Sequence, residues 1–305
     1  IVRIFQRNRF HVQAIGDTLS LMQRCVVNGE RDPDRILSKE DYEMILQYEA
    51  DPLIERMNRF FAARKAFIEK DEVDNWNDII ENMYFPYDEK QGIFLQQDGY
   101  LDKELLTVND IPPEERPVNQ HWSWDRILRS CFIKQADVLQ GIYIFEERYN
   151  IDTIRKNFEF YEQRTLHESS LSACIHSIIA SLIGDKRKAY ELFLRSSRLD
   201  IDDYNNEVNE GLHITSMAGA WMSIVEGFGG KRIRNGKLIL YPLLPEEWKE
   251  YSFKIVFKNT DLLVTVNEKS IVLVSHGGNL LVDVYGTAVE LSDGHPVEIP
   301  VKKKR

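Results

Sequence analysis

The sequence predicts a mainly helical protein followed by a small C-terminal all-β domain. Three observations predict it. Apolar residues recur at helical spacing as far as about residue 230. A glycine cluster, Gly227, Gly229 and Gly230, then interrupts the pattern. From Leu238 onward short β-branched runs alternate with NT, NEK, HGG and SDG turns.

The elements follow in order. Trp76 to Met83 sets Ile79, Ile80 and Met83 on one helical face. Trp124 to Phe145 carries apolar residues at 127, 128, 131, 132, 138, 139 and 142, which predicts one continuous helix. Leu171 to Leu182 is small and apolar on nearly every side, as for a helix packed among helices, and Gly184-Asp185 ends it. Lys188 to Arg195 starts the next helix, and Met217 to Val225 forms another small-residue helix. Six strands are expected in LILYPLL, FKIVFK, LLVTVN, SIVLVS, LLVDVY and VEI, as a small antiparallel sandwich. The helical part therefore spans 1–235 and the sheet domain 236–305. Two long loops, 85–100 and 105–124, are expected to line a site.

Bulk properties narrow the function. With 305 residues, 43% of them hydrophobic, the chain can bury the core of two domains. A net charge of −10 with scattered cations argues against a nucleic-acid partner, and the terminal KKKR reads as a solvated tail. Cys25, Cys131 and Cys174 lie far apart without CxxC spacing, so neither a disulfide framework nor a zinc site is expected. No apolar run reaches the roughly 20 residues of a membrane span, and residues 1–10 lack the features of a signal peptide. A cytoplasmic location is the resulting expectation. The chain begins at Ile1 rather than Met, and a fragment of a longer protein is expected.

The candidate site residues cluster in a few segments. In TLHESSLSACIHSI, Ser169 and Ser170 sit where a loop enters a helix. With Leu171 as first helical residue, Ser170 is near the N-cap, and its hydroxyl accepts a backbone N–H one turn in. A helix N-terminus also suits an anion such as phosphate, although Glu168 would oppose one unless it points elsewhere. His167, His176 and His213 each read as a structural or a ligand-holding imidazole. Lys134 and Gln135, in FIKQADVL, read as a snorkelling stem with its neighbour, or as groups aimed into a cavity. Gln96, Asp98 and Tyr100, with His121, Trp122 and Trp124, are groups that bond or stack on sugars, each with loop packing as its alternative. Walker, GxGxxG, HExxH and GxSxG motifs are absent, which speaks against the chemistry each carries.

Taken together, five stretches resemble family 65 of the glycoside hydrolases, the inverting maltose, kojibiose and trehalose phosphorylases and their relatives. They are WNDIIENMYFPYDEKQGIFLQQDGYL from Trp76, PVNQHWSWDRILRSCFIKQADVL from Pro117, TLHESSLSACIHSIIASLIGDKRKAYELF from Thr165, NEGLHITSMAGAWMSIVEGFGG from Asn209 and LILYPLLPEEW from Leu238. The resemblance runs from about residue 76 to the end. It implies the later helices of an (α/α)6 barrel plus the C-terminal sheet domain. It also implies that phosphate attacks the anomeric carbon of an α-glucosidic disaccharide and releases β-glucose 1-phosphate. Ser169, Ser170, His213 and Lys134 would hold phosphate, Gln135, Gln96 and Trp122 the sugar, with no metal or organic cofactor. An inverting hydrolase needs a second carboxylate to activate water; a phosphorylase needs donors for its anionic nucleophile instead. Glu168 and Glu210 would be the suspects for a hydrolase.

The family's PDEYH-like acid loop and NNNAYTN-like stretch are missing. Glu49, in QYEADPLIERMNRFFAARKAF, is the candidate general acid or an exposed helical glutamate. A catalytically inactive remnant is the third reading. Because part of the ring is absent, inner apolar helices would be exposed, predicting a homo-oligomer such as a dimer, or a missing N-terminal segment.

Overall fold

The computed structural model describes residues 70–302. The chain divides into two compact units, Ile1–Tyr84 and Phe85–Arg305. In the first, α1 (Lys70–Asn82) leaves Ile79 and Ile80 exposed, as is the adjoining Met83. Glu49 and Cys25 lie outside the described residues.

The second unit opens with a two-residue hairpin, β1 (Tyr87–Asp88) and β2 (Ile93–Phe94). Its helices are α2 (Val118–His121), α3 (Trp124–Arg129), α4 (Asp137–Ile144), α5 (Ile151–Glu162), α6 (Ala173–Ile183), α7 (Lys186–Ser197), α8 (Leu199–Asp202) and α9 (Ile214–Met222). Every residue of α6 is buried, so this helix is the centre of the layer, as its apolar sequence predicts. Gly184 in the left-handed region stops it, and the Asp185 carboxylate accepts the Lys188 N–H at 2.9 Å to start α7. Gly219 of α9 packs so closely on α6 that an added Cβ would lie 2.8 Å from Cys174 Sγ.

The continuous helix expected over residues 124–145 is broken between Arg129 and Asp137. Ile133 there forms a parallel bridge with Thr165. Its N–H donates to Arg164 O at 3.0 Å and its carbonyl accepts from Leu166 N at 2.8 Å. Cys131 and Phe132 are buried as the predicted stripe requires, and Ile133 is buried outside that stripe, all three in a segment that is not helical.

α9 continues into a π-helical turn, Ser223–Phe228. Eight strands follow in the described residues, two more than the six expected. They are β3 (Arg232–Arg234), β4 (Lys237–Leu240), β5 (Glu250–Phe257), β6 (Thr260–Asn267), β7 (Ser270–His276), β8 (Leu280–Val284), β9 (Thr287–Leu291) and β10 (Val297–Pro300). They form two four-stranded sheets ordered β10-β7-β6-β5 and β3-β4-β8-β9. All pairs are antiparallel except β4 with β8, where Leu238 faces Val282. The additional strands, β3 and β9, are short.

Helices and sheets share one core. The ring of Phe228, fully buried, meets Phe193 of α7 at 5.6 Å and Trp248 at 5.2 Å, both edge-on. The Tyr251 hydroxyl of β5 lies 2.8 Å from the Phe228 carbonyl, which also accepts from Leu243 N at 2.7 Å. Gly230 (φ 57°) makes this crossing possible, because a Cβ there would fall 2.4 Å from Tyr241 O. Gly230→Ala is expected to cost about 2 kcal/mol through the left-handed backbone and the clash. A urea titration with an unchanged midpoint would refute that.

Candidate functional site

The serine loop joins α5 to α6, and the Ile133–Thr165 bridge fixes where it starts. His167 adopts a left-handed backbone (φ 54°), uncommon for a residue with a Cβ. This turn directs Glu168 inward, where its two carboxylate oxygens accept the backbone N–H groups of Val118 and Asn119 at the start of α2. Glu168 is buried there and faces away from the serines.

Ser170 is not the helix cap. α6 begins at Ala173, with Ser172 as N-cap residue, because Ser169 makes a local turn instead. Its hydroxyl accepts the Leu171 N–H at 3.2 Å, the short-range bond that competes with helix. The Ser169 hydroxyl also donates to Gln135 Oε1 at 3.2 Å. Ser170 Oγ lies 2.6 Å from Thr215 Oγ1 in the first turn of α9. Both serines are part-exposed.

His213 is the residue before α9. Its N–H donates to Asp200 Oδ2 at 3.0 Å and its Nδ1 to Asp200 Oδ1 at 2.5 Å. These bonds hold the Asp200 carboxyl below its ordinary range. With Nδ1 occupied, only Nε2, 3.8 Å from Glu207 Oε2, is left to meet a ligand. Two contacts therefore form here, Ser169 with Gln135 and Ser170 with Thr215. His213 precedes Thr215 by two residues at the start of a helix whose N-terminal dipole favours negative charge. Lys134, next to Gln135, is exposed. The surroundings are open and apolar: Leu171, Leu212, Ile214, Met217 and Trp221 are all exposed.

Gln96 is bonded to the last residue of the 134–137 segment. Its amide donates to Asp137 Oδ2 at 2.6 Å. Its Oε1 is buried and has no hydrogen-bond partner among the described residues. Trp122 is engaged elsewhere: its indole N–H donates to Glu115 and the Arg126 guanidinium covers its ring at 3.6 Å. Tyr100 is buried, with its hydroxyl on the Cys131 carbonyl, whereas His121 and Trp124 are exposed. Asp98 is exposed as well. The side chain of Glu210 lies outside what is described. Sequence reasoning missed Thr215, Asp200 and Asp137. A threonine two residues after His213, in the first turn of a helix, was the available signal for the first.

Under the loop, Glu162 accepts from His176 Nδ1 and, at 3.4 Å, from His167 Nε2. Burial alone would raise the Glu162 carboxyl, but the two imidazole hydrogen bonds outweigh it and hold the group well below the usual range. Burial pushes the His167 imidazole down to about 4 against the opposing pull of Glu162. A cavity of about 640 Å³ adjoins this cluster, lined by Arg116, Lys188, Arg195, Glu162, His167 and Tyr204 among others. None of Ser169, Ser170, Lys134 and His213 lines it.

Comparison with known proteins agrees with the expected family. The model of the glycosyl hydrolase family 65 central catalytic domain matches residues 42–222, and that of the family's C-terminal domain matches residues 232–304. The chain is 50% identical over 225 residues to the maltose phosphorylase of Bacillus subtilis (strain 168), covering 73% of this chain and 30% of that protein. It is 37% identical over 237 residues to the alpha,alpha-trehalose phosphorylase of Thermoanaerobacter brockii, covering 78% of this chain and 29% of that protein. A solved structure provisionally assigned as a kojibiose phosphorylase from the human microbiome superposes with a TM-score of 0.72 at 39% identity, over 86% of this chain and 38% of that one. The chain therefore spans about three-tenths of the length of these two curated relatives.

Proposed function

The chain belongs to glycosyl hydrolase family 65, and from that premise we propose that it carries the phosphate- and sugar-holding part of an inverting disaccharide phosphorylase. Ser169, Ser170, His213 and Lys134 hold inorganic phosphate. Gln135 and Gln96 bond hydroxyls of the glucosyl unit. A phosphate oxygen attacks the anomeric carbon of an α-glucoside, the glycosidic C–O bond breaks, and an acid protonates the departing sugar oxygen. The products are β-glucose 1-phosphate and a free sugar. Glu49 is the candidate acid. The reaction takes place in water with phosphate as co-substrate and draws on no organic cofactor.

One observation carries the reading: Ser170 and Thr215 meet at 2.6 Å while Glu168 turns away. The two serines and the start of α9 become a patch of neutral donors next to His213, which suits an anion. It also weakens the hydrolase alternative, since Glu168 has both oxygens on backbone N–H groups and is not free to activate water.

Isothermal titration with inorganic phosphate tests the reading, wild type beside Ser169→Ala/Ser170→Ala. The double variant is expected to bind about tenfold more weakly, since the α9 terminus and His213 remain. Equal affinity would dissociate the serines from phosphate. Absence of binding by a folded wild type would leave the chain as a remnant without this chemistry.

A further inference from the structure

Glu162, His167 and His176 form a buried group for which the phosphorolysis scheme has no use. Their ligand atoms lie within 4.8 Å of one another, a nitrogen and oxygen set that a divalent cation accepts. The charges around it oppose a cation. Lys188 Nζ stands 3.6 Å from Glu162 Oε1. The Arg195 guanidinium donates to the carbonyls of Leu166 at 3.4 Å and His167 at 3.2 Å. Two positive side chains against a buried pocket would repel a third cation strongly.

The hydrogen bonds give the group a different use. An ionised Glu162 only accepts, so both imidazoles facing it must donate. That places the His167 proton on Nε2 and leaves Nδ1 as an acceptor. The Ser172 hydroxyl lies 2.9 Å from Nδ1 and donates to it. The Ser172 N–H in turn bonds Ser169 O at 3.4 Å. A continuous path therefore runs from carboxylate to imidazole to hydroxyl to the serine loop. Were His167 to carry its proton on Nδ1, Ser172 would have to accept there, and its own proton would turn to Ser169 O, 3.3 Å away. The loop's bonding would change polarity.

We propose that Glu162 is a positioning residue: by fixing His167 in its Nε2–H tautomer it holds the left-handed turn and the Ser172 contact, and so aims Ser169 and Ser170 at bound phosphate. The role at phosphate rests on the reading given above; the tautomer does not.

Two measurements on the full chain test it together. Long-range ¹H–¹⁵N correlation reports the His167 tautomer, and titration with inorganic phosphate reports the site. Wild-type His167 is expected to be protonated at Nε2. Glu162→Ala is expected to lose that preference and bind phosphate about tenfold more weakly. Glu162→Gln, whose amide oxygen still accepts an imidazole N–H, restores both, which a loss of general packing would not show. If Glu162→Ala does not fold, Ser172→Ala removes the hydroxyl's bond to the imidazole and its 3.3 Å contact to Ser169 O, leaving Glu162 and His167 in place. It is expected to leave the tautomer intact and weaken phosphate several-fold. An Nδ1–H tautomer in the wild type overturns the proposal. So does unchanged phosphate affinity in Ser172→Ala, or stoichiometric Zn²⁺ binding that Glu162→Ala abolishes. Wild-type protein with the Nε2–H tautomer but no phosphate affinity supports the link from Glu162 to His167 and overturns the phosphate reading instead.

Discussion

Phe228→Ala is expected to lower the stability of the second unit by about 4 kcal/mol, in the range for phenylalanine truncation in a packed core. The side chain is fully buried and has edge-on partners from a helix, from the segment after β4 and from β5. Such aromatic pairs add to the area term. The cavity left cannot close easily, because the Phe228 backbone is tied to Leu243 and Tyr251. Urea unfolding followed by far-ultraviolet circular dichroism and by tryptophan fluorescence should shift together, since Trp248 lines the same cavity. A loss under about 1 kcal/mol would mean that helices and sheets do not share the core as described.

Acidification is expected to have the next largest effect. The His167 imidazole is held down to about 4 in the folded protein, against an ordinary value near 6.5. Between those values the unfolded chain binds a proton that the folded chain refuses, so stability is complete above pH 6.5 and falls as pH falls. The slope is about 1.4 kcal/mol per pH unit, on the order of 3 kcal/mol across the window. Glu162 acts in the same direction below the ordinary carboxylate range, because its native carboxylate resists protonation. His176, Lys188 and Arg195 are the other charged or titratable groups facing the pair. Urea midpoints measured at pH 7, 6, 5 and 4 give the slope, and His167→Asn should flatten it. A wild-type profile already flat from pH 7 to 4 would contradict the burial of a neutral His167.

Much of this was legible in the sequence, for physical reasons that differ by element. α6 was readable because an all-apolar run closed by glycine has few other fates, and its observed span, Ala173–Ile183, lies within two residues of the expected one. The break before α4 was not readable, because Cys131 and Phe132 keep the apolar stripe going. Only the bridge to Thr165, a tertiary contact, selects extended chain there. β9 was hidden by its exposed, mixed composition, TAVEL, and β3 by its length. At the site, the residue types and their order were visible, but their grouping was not. Glu168 stands beside Ser169 in sequence, and its direction is set by Val118 and Asn119. The contact of Ser170 with Thr215 depends on how α9 packs against α6.

The parallel pairing of β4 with β8 has a consequence for synthesis. β5 and β6 pair with their immediate successors and can zip as hairpins while the chain emerges. β4 cannot complete its pairing this way: its inner neighbour is β8, and a whole meander is translated between them. Until β8 leaves the ribosome, Leu238 has only Ile233 of β3 beside it and Leu240 has no strand partner, so this edge stays uncovered. A nascent chain stalled just before residue 280 thus presents an unpaired β4 edge that a chaperone would have to shield.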